Sequence, residues 1–75
     1  KVMIFPNSRK CQFIIFSDPE IVSHVQVYNV LGEKIAEFNV SELETEINLQ
    51  GQKGLYVVRI ISHDNNEAVK RLIIQ

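Results

Sequence analysis

Leu55-Tyr56-Val57-Val58-Arg59-Ile60-Ile61 alternates with a period of two: Tyr56, Val58 and Ile60 line one face, and Leu55, Val57, Arg59 and Ile61 line the other. Side chains alternate across a strand in this way, whereas a helix repeats its apolar positions every three or four residues. Val and Ile, stiff at χ1, suit a pleated surface. Turn-forming residues bound the run on both sides: Gln50-Gly51-Gln52-Lys53-Gly54 precedes it, and His63-Asp64-Asn65-Asn66 follows, with residues that tolerate the left-handed conformation. This is a strand between two turns, and Ala68 to Ile74 reads as the last strand.

The same period runs through the rest of the chain. Ile47-Asn48-Leu49 is a brief strand before the Gln50–Gly54 turn. Ser23 to Tyr28 sets Val25 and Val27 against His24, Gln26 and Tyr28. Asn29-Val30-Leu31-Gly32 follows as the clearest turn: Asn suits the first position of a type I turn, and Gly supplies the positive φ that closes a hairpin through a bulge. Lys34 to Val40 returns, but Ile35, Phe38 and Val40 cannot share one face without a bulge. Ser41 to Glu46 reads as a solvated polar link, although Ser41 and Glu44 have the spacing of a capping box. Val2-Met3-Ile4-Phe5 is a short first strand stopped by Pro6-Asn7-Ser8, since Pro6 has no N–H to donate. Gln12 to Phe16 is a second strand, apolar enough on both faces to sit inside a sandwich or against a partner. Ser17-Asp18-Pro19-Glu20 breaks it as a turn. About seven short strands and no helix predict an all-β, immunoglobulin-like antiparallel β-sandwich.

Size and charge narrow the function. The chain has 75 residues, room for one domain, and a core of that size rarely supplies more than about 3–5 kcal/mol. Hydrophobic residues make up 45%, including four Phe, which argues against disorder. Eight basic and nine acidic residues leave a net charge of -1, without the cationic excess that nucleic-acid binding needs. No apolar run approaches the roughly 20 residues of a membrane span. Cys11 is the only cysteine, so no internal disulfide forms and a small buried hydrophobe is the expected role. A nucleophilic thiol needs a neighbouring base, and nothing in the spacing ties His24 or His63 to Cys11. Glu42, Glu44 and Glu46 read as a solvated loop rather than a metal site, and turn chemistry accounts for Asp64, Asn65 and Asn66. With no nucleophile–base pair, metal-ligand cluster or phosphate loop in view, the chain reads as a non-enzyme with no cofactor and no metal.

Four motifs, in order, resemble the type IX secretion system C-terminal sorting domains of Bacteroidota-type bacteria. Ile4-Phe5-Pro6-Asn7 is similar to the family's opening stretch. Val25-Gln26-Val27-Tyr28-Asn29-Val30-Leu31-Gly32-Glu33-Lys34-Ile35 resembles its middle hairpin. Gly54-Leu55-Tyr56-Val57-Val58-Arg59-Ile60 matches its Gly-x-Tyr-x-Val-x-Ile signature, and Lys70-Arg71-Leu72-Ile73-Ile74-Gln75 resembles its basic pair and aliphatic ending. Two positions depart from the pattern: Ser8 stands where a second Pro is usual, and Gln52 where a Pro often precedes Lys53-Gly54.

The resemblance implies that residues 1–75 are a sorting signal cut from a larger precursor. It implies type IX translocon and shuttle proteins as partners, transit through the periplasm, and a destination at the outer membrane, on the cell surface or in the medium. It also implies removal by a sortase-type cysteine peptidase, with the cut upstream of Lys1. Two recognition surfaces follow. One is the terminal strand, where Lys70, Arg71, Leu72, Ile73, Ile74 and Gln75 would pair with a receptor strand or, through swapping, with a second copy. The other is the turn at Lys53 and Gly54 leading into Tyr56. There Gly54 permits a conformation that a Cβ would strain, and Tyr56 buries its ring and pairs its hydroxyl with nearby backbone. Two rival readings are an uncleaved outer-membrane anchor of a secretion-machinery component and an immunoglobulin-like surface binding module. The latter calls for an exposed aromatic platform, which a chain with no Trp and with Phe mostly at core-like positions does not display.

Overall fold

Alternation in the sequence becomes two packed sheets. The computed structural model describes residues 2–75, so Lys1 lies outside the described residues. Its strands are β1 (Met3–Asn7), β2 (Gln12–Phe16), β3 (Val22–Tyr28), β4 (Lys34–Asn39), β5 (Glu44–Asn48), β6 (Gly54–Ser62) and β7 (Glu67–Ile74). One sheet has the order β1-β2-β5 and the other β4-β3-β6-β7, every pairing being antiparallel. In an immunoglobulin constant domain the fourth strand joins the sheet of the first, second and fifth. Here β4 pairs with β3, so the sandwich is three strands on four.

Each strand turns its apolar alternate inward. Phe13 and Ile15 of β2 and Ile47 of β5 face Val25 and Val27 of β3, Tyr56, Val58 and Ile60 of β6, and Leu72 and Ile74 of β7. Phe13, Ile15, Val25, Val27 and Val58 have no exposed surface at all. Burying such side chains is worth roughly 1.5–3 kcal/mol each before the entropy of ordering them is counted.

The hairpin between β3 and β4 forms as its residues dictate. Gly32 N–H donates to the Asn29 carbonyl at 3.0 Å, Asn29 Oδ1 accepts from Leu31 and Glu33 N–H at 3.0 Å each, and Gly32 has φ +85°. Val27 opposes Ala36 while Tyr28 opposes Lys34, so Ile35 is the extra residue of a bulge in β4. Phe38 and Val40 turn toward the core by plain alternation while Ile35 stays out, so the three do not share one face. At the β6–β7 turn, Asn65 takes φ +68° and Asp64 accepts from Asn66 N–H at 3.3 Å.

Three readings need correction. Pro6 does not stop β1, which continues to Asn7 with Pro6 opposite Phe13. An edge strand needs N–H donors on one side only, so a proline whose nitrogen faces outward is tolerated there. Glu44 and Glu46 do not lie in a loop but on β5, paired with Phe16 and Ile14; they face solvent while Ile47 faces in, an alternation masked by the polar residues around it. The Phe residues are not mostly core. Only Phe13 is fully buried, Phe16 and Phe38 are half-buried, and Phe5 is 49% exposed.

Candidate functional site

The two surfaces expected from the sequence form one. Antiparallel pairing sets the start of β6 against the end of β7: Gly54 opposes Ile74, Leu55 opposes Ile73, Tyr56 opposes Leu72, Val57 opposes Arg71 and Val58 opposes Lys70. β7 is the last strand of its sheet, so its far edge pairs with no strand among the described residues.

Lys53 fastens this corner. Its Nζ donates to the main-chain oxygens of Ser8 at 3.0 Å and Gln75 at 2.9 Å, while Gln75 N–H donates to Ser8 Oγ at 3.0 Å. A proline at position 8 could not offer that hydroxyl, so the departure from the family's pattern has a structural use here. Gly54 begins β6 with φ +134°, and a Cβ added there would meet nothing within 4 Å. The demand on Gly54 is therefore conformational rather than one of space. Tyr56 is buried and its hydroxyl donates to the Gln52 carbonyl at 2.5 Å. The Cys11 thiol donates to the same oxygen at 3.3 Å. Burial pushes the Tyr56 hydroxyl above its ordinary pKa, with a further contribution from the neighbouring Cys11.

The other residues separate by face. Leu72 and Ile74 are buried, whereas Ile73 is 58% exposed on the outer face, with Val69 and Arg71 also exposed there. Lys70 and Arg71 do not form one basic patch, because neighbours on a strand point to opposite faces. Lys70 lies on the inward-facing row, at a hollow of about 410 Å³ that Val2, Ile60 and Ala68 also line. Sequence reasoning missed the hairpin tip beside Lys53–Tyr56. Val30 and Leu31, the latter 81% exposed, line an open cleft of about 540 Å³ with Lys53, Gly54 and Leu55. Two aliphatics inside a turn were the available signal.

Among the described residues no three His, Cys, Asp or Glu side chains gather to hold a metal ion. The Asp64 oxygens go to the turn itself, to Ser62 and Asn66. Cys11 is not approached by either histidine: His24 bonds Ser23 and His63 bonds the Pro19 carbonyl. No described helix is long and apolar enough to cross a membrane.

Such a fold defines a small β-sandwich module that carries its last strand at an open edge. The chain belongs to the secretion system C-terminal sorting domain family, whose profile matches residues 3–75. It is also similar to an endo-acting ulvan lyase of Formosa agariphila, 32% identical over 78 residues that cover 99% of this chain. The chain spans 15% of the length of that curated relative. Family membership makes the chain a type IX C-terminal sorting signal, and it implies export to the cell surface or beyond.

Proposed function

We propose that residues 1–75 are the folded address of a larger exported protein, read by type IX translocon and shuttle proteins through the β6–β7 corner. The chain performs no catalysis. Its cargo passes through the periplasm, and a sortase-type cysteine peptidase acts on it by cutting upstream of Lys1. The observation that supports this reading is the edge of β7 that pairs with no strand among the described residues, with Val69, Arg71 and Ile73 exposed beside it. An open strand edge offers main-chain hydrogen bonds to an added strand, and its exposed side chains supply selectivity. Arg71 would steer an acidic receptor toward that edge.

A surface binding module is the less favoured reading. Exposed Phe5 and half-buried Phe16 do form an aromatic pair, with centroids 5.6 Å apart, but their planes meet at 80°, so they present no flat platform for a sugar ring.

The test is a fusion of residues 1–75 behind a periplasm-targeted fluorescent reporter, in a type IX-competent bacterium and its translocon-null partner. Surface or medium reporter in the competent strain alone, lost when residues 70–75 are removed, is the expected result. Reporter held in the periplasm of both strains, with the domain folded, would overturn the proposal.

A further inference from the structure

The outer face of the three-stranded sheet carries an apolar patch beside polar residues, with Met3 and Phe5 exposed and Ile14 and Phe16 half-buried. Residues pair across it in three rows: Met3–Phe16–Glu44, Phe5–Ile14–Glu46 and Asn7–Gln12–Asn48. Phe13 and Ile15 point inward with no exposure, so the first two rows lie outward as apolar, apolar, acidic. Met3 is 47% exposed, and neither Glu44 nor Glu46 has an ion pair among the described residues. In an 8.6 kDa chain, an apolar stripe edged by two unpaired carboxylates calls for an apolar surface that carries a cation.

The chain displays such a surface on its other sheet. On the outer face of β6 and β7, Ile73 stands beside Leu55, Arg71 beside Val57 and Val69 beside Arg59. Val69 is 57% exposed, and Leu55 and Val57 are half-buried. Arg59 is already paired with Glu67 at 2.7 Å. Arg71 has no ion pair among the described residues and so remains the cation of this face.

We infer that the acidic-apolar face of β1-β2-β5 in one copy docks on the basic-apolar face of β6-β7 in a second copy. Sheets packed face to face interdigitate their side chains about 10 Å apart, which suits two stripes of Met, Phe, Leu, Ile and Val. Arg71 of each copy meets Glu44 and Glu46 of the next. The two faces lie on opposite sides of the molecule, so the contact is head-to-tail and grows a chain rather than closing a dimer. This association stands whether or not a translocon reads β7, and it covers the β7 face while it lasts.

Sedimentation of the 75-residue chain over a wide concentration range tests the inference. The weight-average mass is expected to rise with concentration and to fall back when salt is raised, because the partly exposed charges are screened. A Glu44→Lys/Glu46→Lys variant alone, and an Arg71→Glu variant alone, are expected to stay at the mass of one chain. An equimolar mixture of the two is expected to regain association, since each then offers the sign that the other lacks, and that recovery also shows both variants to be folded. A wild-type chain that stays monomeric throughout would overturn the inference. So would a closed dimer indifferent to both charge reversals, as strand swapping would produce.

Discussion

Tyr56 and Ser17 are both buried polar residues, and they differ in whether the hydroxyl finds a partner. Tyr56 donates to Gln52 and anchors the turn that presents Lys53 and Gly54. Tyr56→Phe should cost about 1 kcal/mol, the net worth of one such bond, read as a lower urea midpoint. Because the folded state holds the Tyr56 pKa above 10.0, its contribution is fully present below that value and is lost as pH rises through the raised one. Wild-type stability should therefore fall more steeply than that of Tyr56→Phe above about pH 10, and parallel curves in urea titrations there would refute the assignment. Ser17 is 4% exposed, and its hydroxyl has no partner among the described residues. Its N–H is already bound to the Leu43 carbonyl. Ser17→Ala should raise stability by about 1 kcal/mol, by removing a desolvated group that gains nothing in return. The Tyr56 bond was legible beforehand because a tyrosine in an apolar row must place its hydroxyl somewhere. The lone Ser17 hydroxyl was not, because the contact that holds Ser17 comes from Leu43, far away in the sequence.

Element by element, β7 pairs with β6 along its length and is fastened again at its tip. Lys53 and Ser8 fasten Gln75 from two different loops. Lys53→Met keeps the apolar stem and removes both hydrogen bonds. Amide exchange at Gln75 and Ile74 should accelerate while the global unfolding midpoint barely moves, since the clasp is exposed. Unchanged exchange would mean that strand pairing alone holds the end. At the other end of the strand, the Ser62 hydroxyl and Asn66 N–H hold the Asp64 carboxyl below its ordinary 3.8. A depressed carboxyl contributes above its ordinary value and loses that contribution as pH falls through the lower one. The β6–β7 turn should loosen first on acidification, seen as faster exchange of the Asn66 amide below about pH 4, an effect expected to vanish in Asp64→Asn. Strand existence was readable along the whole chain. β5 was cut short in the reading because Glu44, Thr45 and Glu46 look like loop until β2 supplies the partner that pairs them.

For the whole molecule, a core this small leaves little reserve. Ile15→Ala should cost about 2–5 kcal/mol, comparable with the about 3–5 kcal/mol that such a core supplies. Most of that variant should be unfolded by circular dichroism at room temperature, and a fused reporter should stay in the periplasm. Ile73→Ser, on the exposed side of β7, should leave the fold intact, so any export defect it causes belongs to recognition. Normal export from an unfolded Ile15→Ala fusion would show that the address is read as a linear segment. The period-two pattern was enough to determine most of the strands, the hairpin turn and the all-β class, because each follows from φ, ψ and polarity within a few residues. The opposite facing of Lys70 and Arg71 was legible by the same rule. Only the tertiary structure decided that β5 pairs with β2, that the Lys53 turn and the terminal strand are one corner, and that Ser8 reaches Gln75. It also decided that Met3 and Phe5 stay exposed and Ile14 and Phe16 only half-buried. Those outcomes depend on which strands become neighbours, and contacts between residues far apart in sequence are set by the packing of the whole chain rather than by any local pattern.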